Sequence, residues 1–339
     1  MLENIRRLRE RVKIPVLILD EANLRYYTEV AQGGALLIDK EDTLVTQDLE
    51  LAKTSAVDTV IKAKGRTSDE VLKLLKQKKI KRVGVDFNSL SYLWFKKLQS
   101  KKIKLVDASK KLAEMRIIKS EREIEKIKRA CELADKAMAE ISGNIRAGMT
   151  ERQLRNYAYT ILPQAEDVAF SFIIASGPNS EYTHVQPSER RIALSDFLIV
   201  DLGFQVDGYN SDLTRTFCLS PTSQQRGLYN KVLEAQRLAI NAIVPGAPCG
   251  KLWSKVEAFF KKDDLDRFWK YGLGHGVGLD IHEPPSLFKG SKEKLKNGMT
   301  FTIEPGLHIP NFGGVRIEDT VLLDKRPKIL TESDYSLEL

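Results

Sequence analysis

The chain has 339 residues, 42% of them hydrophobic and 29% charged, with a formal net charge of +8 at pH 7. That length and apolar share suit two globular domains whose cores need no disulfide support. Cys131, Cys218 and Cys249 follow neither a disulfide framework nor a zinc spacing. No apolar run approaches the ~18 residues of a membrane span, and the charged start MLENIRRLRERV lacks a signal-peptide core, so a reduced, cytoplasmic, membrane-free protein is expected.

The first part, about residues 1–115, alternates short strand-like and helix-like runs. IPVLIL (Ile14–Leu19) is a buried-strand candidate, and GALLID and TLVTQ form a candidate hairpin pair. SDEVLKLLKQK reads as a helix opened by a Ser/Asp cap. KRVGVD follows as a strand, SYLWFKKLQSKK as a helix and KIKLVD as a strand. This alternation predicts an α/β layer domain. The lysine runs at Lys76–Arg82 and Lys96–Lys104 read as solvated helix faces and strand flanks. A nucleic-acid patch is disfavoured, because no aromatic residues interleave with them.

A long charged helix is predicted over Ser120–Ser142, where Ile124, Ile127, Ala130, Leu133, Ala134 and Ala137 recur at helical spacing. The domain boundary falls just before it, giving a second domain over 116–339. This part repeats itself. Ile145-x-x-Gly148 followed by Leu154 matches Ile243-x-x-Gly246 followed by Leu252. IVDLG at 199–203 matches TIEPG at 302–306, and SDLT at 211–214 matches IEDT at 317–320. The matches keep their order, and they pair Asp201 with Glu304 and Asp212 with Glu318. Each half reads as helix, helix and β-hairpin, so a two-fold duplicated fold with two facing hairpins is expected.

The chemistry concentrates between those hairpins. Asp201 and Asp212 flank the turn signal Val206-Asp207-Gly208, so they should lie nearly opposite each other across a hairpin. Strand parity puts Asp212, Thr214 and Thr216 on one face, Thr300, Thr302 and Glu304 on another, and Arg316, Glu318 and Thr320 on a third. His275 lies in GLGHGVGLDIHEPP, where glycines permit close approach of the backbone. Two carboxylates about 4 Å apart repel by roughly 4 kcal/mol at an effective dielectric near 20. Asp201, Asp212, His275, Glu304 and Glu318 therefore make sense together as ligands to two divalent cations. Oxygen donors with one imidazole suit Mn²⁺, Co²⁺, Fe²⁺ or Zn²⁺, and two such ions can share bridging carboxylates and activate a bridging water, which implies metal-assisted hydrolysis.

The motifs VDLGFQVDGYNSDLTRTF, GLGHGVGLDIHE, TIEPG and GVRIEDT, in this order and spacing, resemble the pita-bread metallopeptidases of the prolidase and Xaa-Pro aminopeptidase type. LILDEANLRYYTEV resembles the start of the creatinase-type N-terminal domain of that family, and EMRIIKSEREIEKI its entry into the catalytic domain. The resemblance covers nearly the whole chain. It implies an α+β fold: a C-terminal pita-bread domain with an internal pseudo-two-fold duplication, preceded by a smaller α/β domain. It implies hydrolysis of Xaa-Pro bonds in dipeptides or small peptides, two metal ions (Mn²⁺ or Co²⁺ before Zn²⁺ or Fe²⁺) and a homodimer. Asp201 and Asp212 would hold one ion and His275 and Glu304 the other, with Asp212 and Glu318 bridging. Glu304 would also accept the proton of the attacking water. His184 and His282 would serve the substrate, and Arg316 the network around the scissile bond. His308 has no firm role beyond that of a strand-end histidine near the site. Tyr271 and Thr183 depart from the family pattern, which often has histidine or alanine at the first place and proline at the second. An aminopeptidase of altered specificity is the alternative. A non-catalytic pita-bread binding protein is disfavoured, because such proteins lose metal ligands and this chain keeps all five.

Overall fold

The computed structural model describes residues 2–29, 33–48, 57–161 and 167–339. The chain divides into two compact units, Met1–Arg116 and Ile117–Leu339.

The N-terminal unit runs α1 (Leu2–Arg11), β1 (Val16–Ile18), α2 (Glu21–Thr28), β2 (Gly34–Ile38), β3 (Thr43–Thr46), β4 (Thr59–Lys62), α3 (Thr67–Gln77), β5 (Arg82–Val85), α4 (Tyr92–Ser100), β6 (Lys104–Asp107) and α5 (Ser109–Arg116). Its strands form one mixed sheet in the order β4-β3-β2-β1-β5-β6. The predicted hairpin is present: Leu36 lies opposite Leu44 and Leu37 opposite Thr43. The helices supply the crossovers that the parallel pairs β1/β5 and β5/β6 require. Leu17, Leu37, Val45, Val71, Leu75, Val83 and Leu98 close the core between sheet and helices. Helix α3 begins one residue earlier than its expected cap. Arg66 stands at the N-cap without a side-chain bond, and Ser68 and Asp69 lie in the first turn, where Lys97 contacts both. Lys76, Lys79, Lys81, Lys101 and Lys102 are exposed.

The C-terminal unit opens with α6 (Glu121–Asn144) and α7 (Glu151–Thr160). It continues through β7 (Asp167–Val168), β8 (Ile173–Ser176), β9 (Leu198–Leu202), β10 (Phe204–Val206), β11 (Tyr209–Asn210) and β12 (Leu213–Phe217). Helices α8 (Ser223–Asn241) and α9 (Cys249–Lys261) open the second half. After them come β13 (Gly274–Gly276), β14 (Glu283–Leu287), β15 (Met299–Ile303), β16 (Gly306–Ile309), β17 (Gly313–Arg316), β18 (Asp319–Asp324) and β19 (Arg326–Ile329). Capping boxes Ser120–Glu123, Thr150–Gln153 and Thr222–Gln225 start α6, α7 and α8, each satisfying backbone N–H groups the first turn leaves free. The duplicated plan is visible in the sheets, where β8-β9-β12 in the first half answers β13-β15-β18 in the second. Alternation divides each strand. Leu213 and Phe217 enter one core cluster, while Met299, Phe301, Ile303, Val315, Ile317 and Val321 enter the other. The polar partners of these residues turn toward the space between the hairpins.

One expectation on register is corrected. Asp201 lies opposite Thr214, not Asp212. The reversal is a two-residue turn at Asp207-Gly208, where φ is 50° and 77°, as a type I′ turn requires. Val206 therefore pairs with Tyr209, and the register set there carries through to β9 and β12. The displacement from the expected pairing is an even number of residues, so it leaves every side chain on its expected face.

Candidate metal centre

Five segments deliver the acidic and imidazole groups. Asp201 stands in β9, Asp212 just before β12, His275 in β13, Glu304 just after β15, and Glu318 between β17 and β18. The two halves are joined directly at Glu318, whose backbone N–H donates to the Thr214 carbonyl at 3.1 Å. Thr216 accepts from the Arg316 N–H at 3.0 Å and donates to the Arg316 carbonyl at 2.8 Å, continuing this contact where no regular ladder forms. A bulge between His275 and Gly276 interrupts the β13/β14 register beside the site and helps aim the imidazole. Gly274 permits the close approach of β13 to β15, since a Cβ there would sit 2.0 Å from the Thr302 carbonyl oxygen.

The donor atoms converge. One ligand atom from each of Asp212, His275 and Glu318 lies within 4.8 Å of the others. His275 Nε2 is 3.5 Å from Asp212 Oδ2 and 3.4 Å from Glu304 Oε1. Asp201 lines the same cavity, with Oδ2 held by Arg316 Nη2 at 2.6 Å. The hydroxyls that the strand parity placed on these faces bind the carboxylates: Thr214 Oγ1 donates to Glu318 Oε2 at 2.6 Å, and Thr302 Oγ1 to Glu304 Oε1 at 3.1 Å. His184, His282 and Arg316 line the cavity too. The His282 ring lies 4.1 Å from that of His275. His308 is buried in β16 and directs Nδ1 to the Ser180 carbonyl at 2.8 Å. A carbonyl only accepts, so that nitrogen carries the hydrogen.

Without cations this cluster is electrostatically costly. Burial pushes the Asp212 carboxyl well above its ordinary range, with Asp201 and Glu304 adding to the rise. Burial, then Asp212 and Glu304, does the same to Glu318. Glu304 is pushed up to about 7, by burial first, against the opposing pull of Arg316. Burial lowers His275, and it lowers His282 to about 4 with help from His275 and His184. Burial disfavours the charge of Arg316, yet Asp201, Tyr271, Glu304 and Glu318 together hold its guanidinium more firmly protonated than usual. Burial raises the Tyr271 phenol, so it stays neutral in the cavity wall.

The donor set fits metal ions. His275 Nδ1 is 3.2 Å from the Gly276 carbonyl and must donate to it. Neutral imidazole then leaves a lone pair on Nε2 directed at two carboxylate oxygens, which are acceptors as well. Among the described residues, Asp201 Oδ1 is buried without a hydrogen-bond donor. Acceptors facing acceptors, with an orphaned carboxylate oxygen among them, are what divalent cations satisfy.

The cavity has a volume of about 430 Å³, within the range of clefts that hold small ligands. Phe170, Ile173, Val185 and Ile281 give it an apolar wall that motif reading did not find, because no spacing marks residues brought together from separate loops. Tyr271, noticed in the sequence only as a departure, stands over Gly306, where a Cβ would be 2.1 Å from its hydroxyl.

The duplicated fold and the acidic, imidazole-bearing cleft define a metal-dependent hydrolase of the pita-bread type. The chain belongs to metallopeptidase family M24, whose model matches residues 125–325, and the creatinase/prolidase N-terminal domain matches residues 2–118. It is 37% identical over 333 residues to an Xaa-Pro dipeptidase of Pyrococcus horikoshii, covering 95% of this chain and 93% of the relative. It is 38% identical over 335 residues to an Xaa-Pro dipeptidase of Pyrococcus furiosus, covering 95% and 94%. The crystal structure of the Pyrococcus horikoshii prolidase superposes with a TM-score of 0.94 at 36% identity, covering 99% of each chain. An X-Pro aminopeptidase from Thermotoga maritima superposes at 0.88 with 28% identity, covering 98% of this chain and 99% of that one.

Proposed function

We propose that this chain is an Xaa-Pro dipeptidase, a prolidase. In this reading, Asp201 and Asp212 would hold one divalent cation and His275 and Glu304 a second, with Glu318 completing the donor set. The observation that carries it is the pair of carboxylate oxygens facing the lone pair of His275 Nε2, with Asp201 Oδ1 buried in the same cavity without a hydrogen-bond donor. Its chemistry asks for cations, and the relatives covering almost the whole chain are Xaa-Pro dipeptidases. Mn²⁺ or Co²⁺ is assigned from the oxygen-rich set with one imidazole. Residues 1–115 are assigned as a separate domain in front of a catalytic domain over 116–339. A homodimer is assigned from the family resemblance, and a cytoplasmic location from three free cysteines that follow no disulfide framework.

Bound cations would polarise the substrate carbonyl and make water acidic enough to lose a proton near neutral pH. The chain's own groups do the rest. Glu304, with Oε1 fixed by Thr302, takes up the released proton at Oε2 and can pass it to the departing nitrogen. His282, kept neutral by burial, offers an N–H to the carbonyl oxygen from one side of the cavity, and His184 does so from the loop at its mouth. Arg316 holds Asp201 in place and bonds the Thr183 carbonyl at 3.0 Å, next to His184. The apolar wall of Phe170, Ile173, Val185 and Ile281 suits a proline ring. The scissile Xaa-Pro bond has no N–H, so the site needs no acceptor for one.

The test is a cleavage screen of metal-stripped protein reloaded with Mn²⁺ or Co²⁺. It compares Xaa-Pro dipeptides, longer peptides with proline second, and peptides beginning with methionine. Metal-dependent cleavage strongest on the dipeptides is expected. Preference for longer Xaa-Pro peptides would make the enzyme an aminopeptidase, and full activity in the stripped protein would overturn the metal assignment.

A further inference from the structure

We propose that Glu151 is a positioning residue for His184: its buried carboxylate closes the neck of the loop between Ser176 and Ser188 and so sets where His184 stands in the cavity. Glu151 is the first residue of α7 and has no exposed surface. Its Oε1 accepts from the Ser176 N–H and Ser176 Oγ, both at 2.7 Å, and from Asn179 Nδ2 at 3.0 Å. Its Oε2 accepts from the Ser188 N–H at 2.9 Å, Ser188 Oγ at 2.7 Å and Asn179 Nδ2 at 2.9 Å. The two ends of the loop therefore meet on one carboxyl group. The backbone of α7 adds to the closure, with the Glu151 N–H on the Arg190 carbonyl at 3.1 Å and the Arg152 N–H on the Ser188 carbonyl at 3.0 Å.

The arch of the loop is held from the opposite side. Arg316 Nη1 donates to the Thr183 carbonyl at 3.0 Å, and His308 Nδ1 to the Ser180 carbonyl at 2.8 Å. The Gly314 N–H donates to Ser180 Oγ at 2.8 Å. His184 thus stands on a span fixed at its base by Glu151 and along its arch by β16 and β17. The chemistry of the neck admits only an acceptor. Every group that reaches Glu151 there is a donor, and an ionised carboxylate accepts at both oxygens. Glutamine has the same shape but would turn an NH₂ toward donors, leaving buried polar groups unpaired. Aspartate keeps the chemistry and loses one methylene of reach.

This inference rests on the peptidase reading only through its activity measurements. Glu151→Gln, Glu151→Asp and Ser188→Ala are made singly and with His184→Ala, and loaded with Mn²⁺. Turnover of an Xaa-Pro dipeptide, KM, metal content and the rate of chymotryptic cleavage after the exposed Tyr182 are measured. Glu151→Gln should lower kcat by about tenfold or more, as misplacement of a catalytic group does, while KM and metal content change less than about twofold. Glu151→Asp should recover part of the loss, and Tyr182 should be cleaved faster in Glu151→Gln. Added to His184→Ala, Glu151→Gln should cost less than about twofold more, because the two act as one unit. Ser188→Ala removes one donor and should give the same pattern at smaller size, so it carries the test if Glu151→Gln does not fold. Unchanged kcat, a parallel loss of metal, or a full extra loss on top of His184→Ala overturns the proposal. Were wild-type protein to cleave no peptide, the peptidase reading would fall. The positioning claim would then be decided by cleavage at Tyr182 alone: faster cleavage in the variants upholds it, and an unchanged rate overturns it.

Discussion

Glu304→Gln should stabilise the metal-free protein and weaken the metal-loaded one. Without ions, burial lifts the Glu304 carboxyl from its ordinary 4.5 to about 7. The folded chain then keeps a proton that the unfolded chain releases. The group's contribution to stability is intact below about pH 4 and is lost as pH rises through about 7. At ~1.4 kcal/mol per pH unit, that interval amounts to about 3 kcal/mol at pH 8. The neutral amide escapes this loss, and it also removes a charge that raises Asp212 and Glu318. The assay is urea unfolding of chelator-treated protein near pH 4 and near pH 8. Emission of Trp253 and Trp269, stacked 4.8 Å apart in the C-terminal unit, reports the transition in a Trp94→Phe background. Wild type and variant should coincide at the lower pH and differ by about 3 kcal/mol in the variant's favour at the higher. With Mn²⁺ the order should reverse, because an ion that binds the folded state stabilises it and the variant has lost a ligand. No gain near pH 8 without metal, or an equal gain at both pH values, refutes the reasoning.

Asp212→Ala should abolish metal binding at both positions and all peptidase activity, with elemental analysis of the dialysed protein giving the stoichiometry. His282→Ala should cut turnover by about 10²-fold or more with metal content unchanged, and a parallel loss of metal would mark His282 as a ligand instead. Arg316→Met leaves Asp201 Oδ2 buried without its 2.6 Å partner, so metal-free protein should lose about 3–5 kcal/mol in the same urea assay. Loading with Mn²⁺ should recover much of that loss. Gly274→Ala places a Cβ against the Thr302 carbonyl and must spread β13 from β15. A loss of about 2 kcal/mol or more, together with weaker Mn²⁺ binding in titration calorimetry, is expected.

The main lines of the fold were legible because alternation and periodicity are local. The apolar partners of Thr300, Thr302 and Thr320 had to enter a core whatever the topology. The repeat that pairs Asp201 with Glu304 implied two matching hairpins before any contact was known. Concentrating four carboxylates near one imidazole likewise pointed to cations on charge alone, and the motifs named the family. What the chain order could not show was spatial. The pairing of Asp201 with Thr214 depended on where a two-residue turn centres, and that follows from two consecutive positive φ angles at Asp207 and Gly208. The wall of Phe170, Ile173, Val185 and Ile281, the grip of Arg316 on both Asp201 and Thr183, and the place of Tyr271 over Gly306 join segments far apart in the chain. The wall and the grip of Arg316 form only when the two halves close on each other, and the place of Tyr271 depends on how the second half folds on itself, so all of them belong to tertiary structure. Residue type and spacing determined which side chains could carry the chemistry, while packing decided which of them meet and what surrounds them.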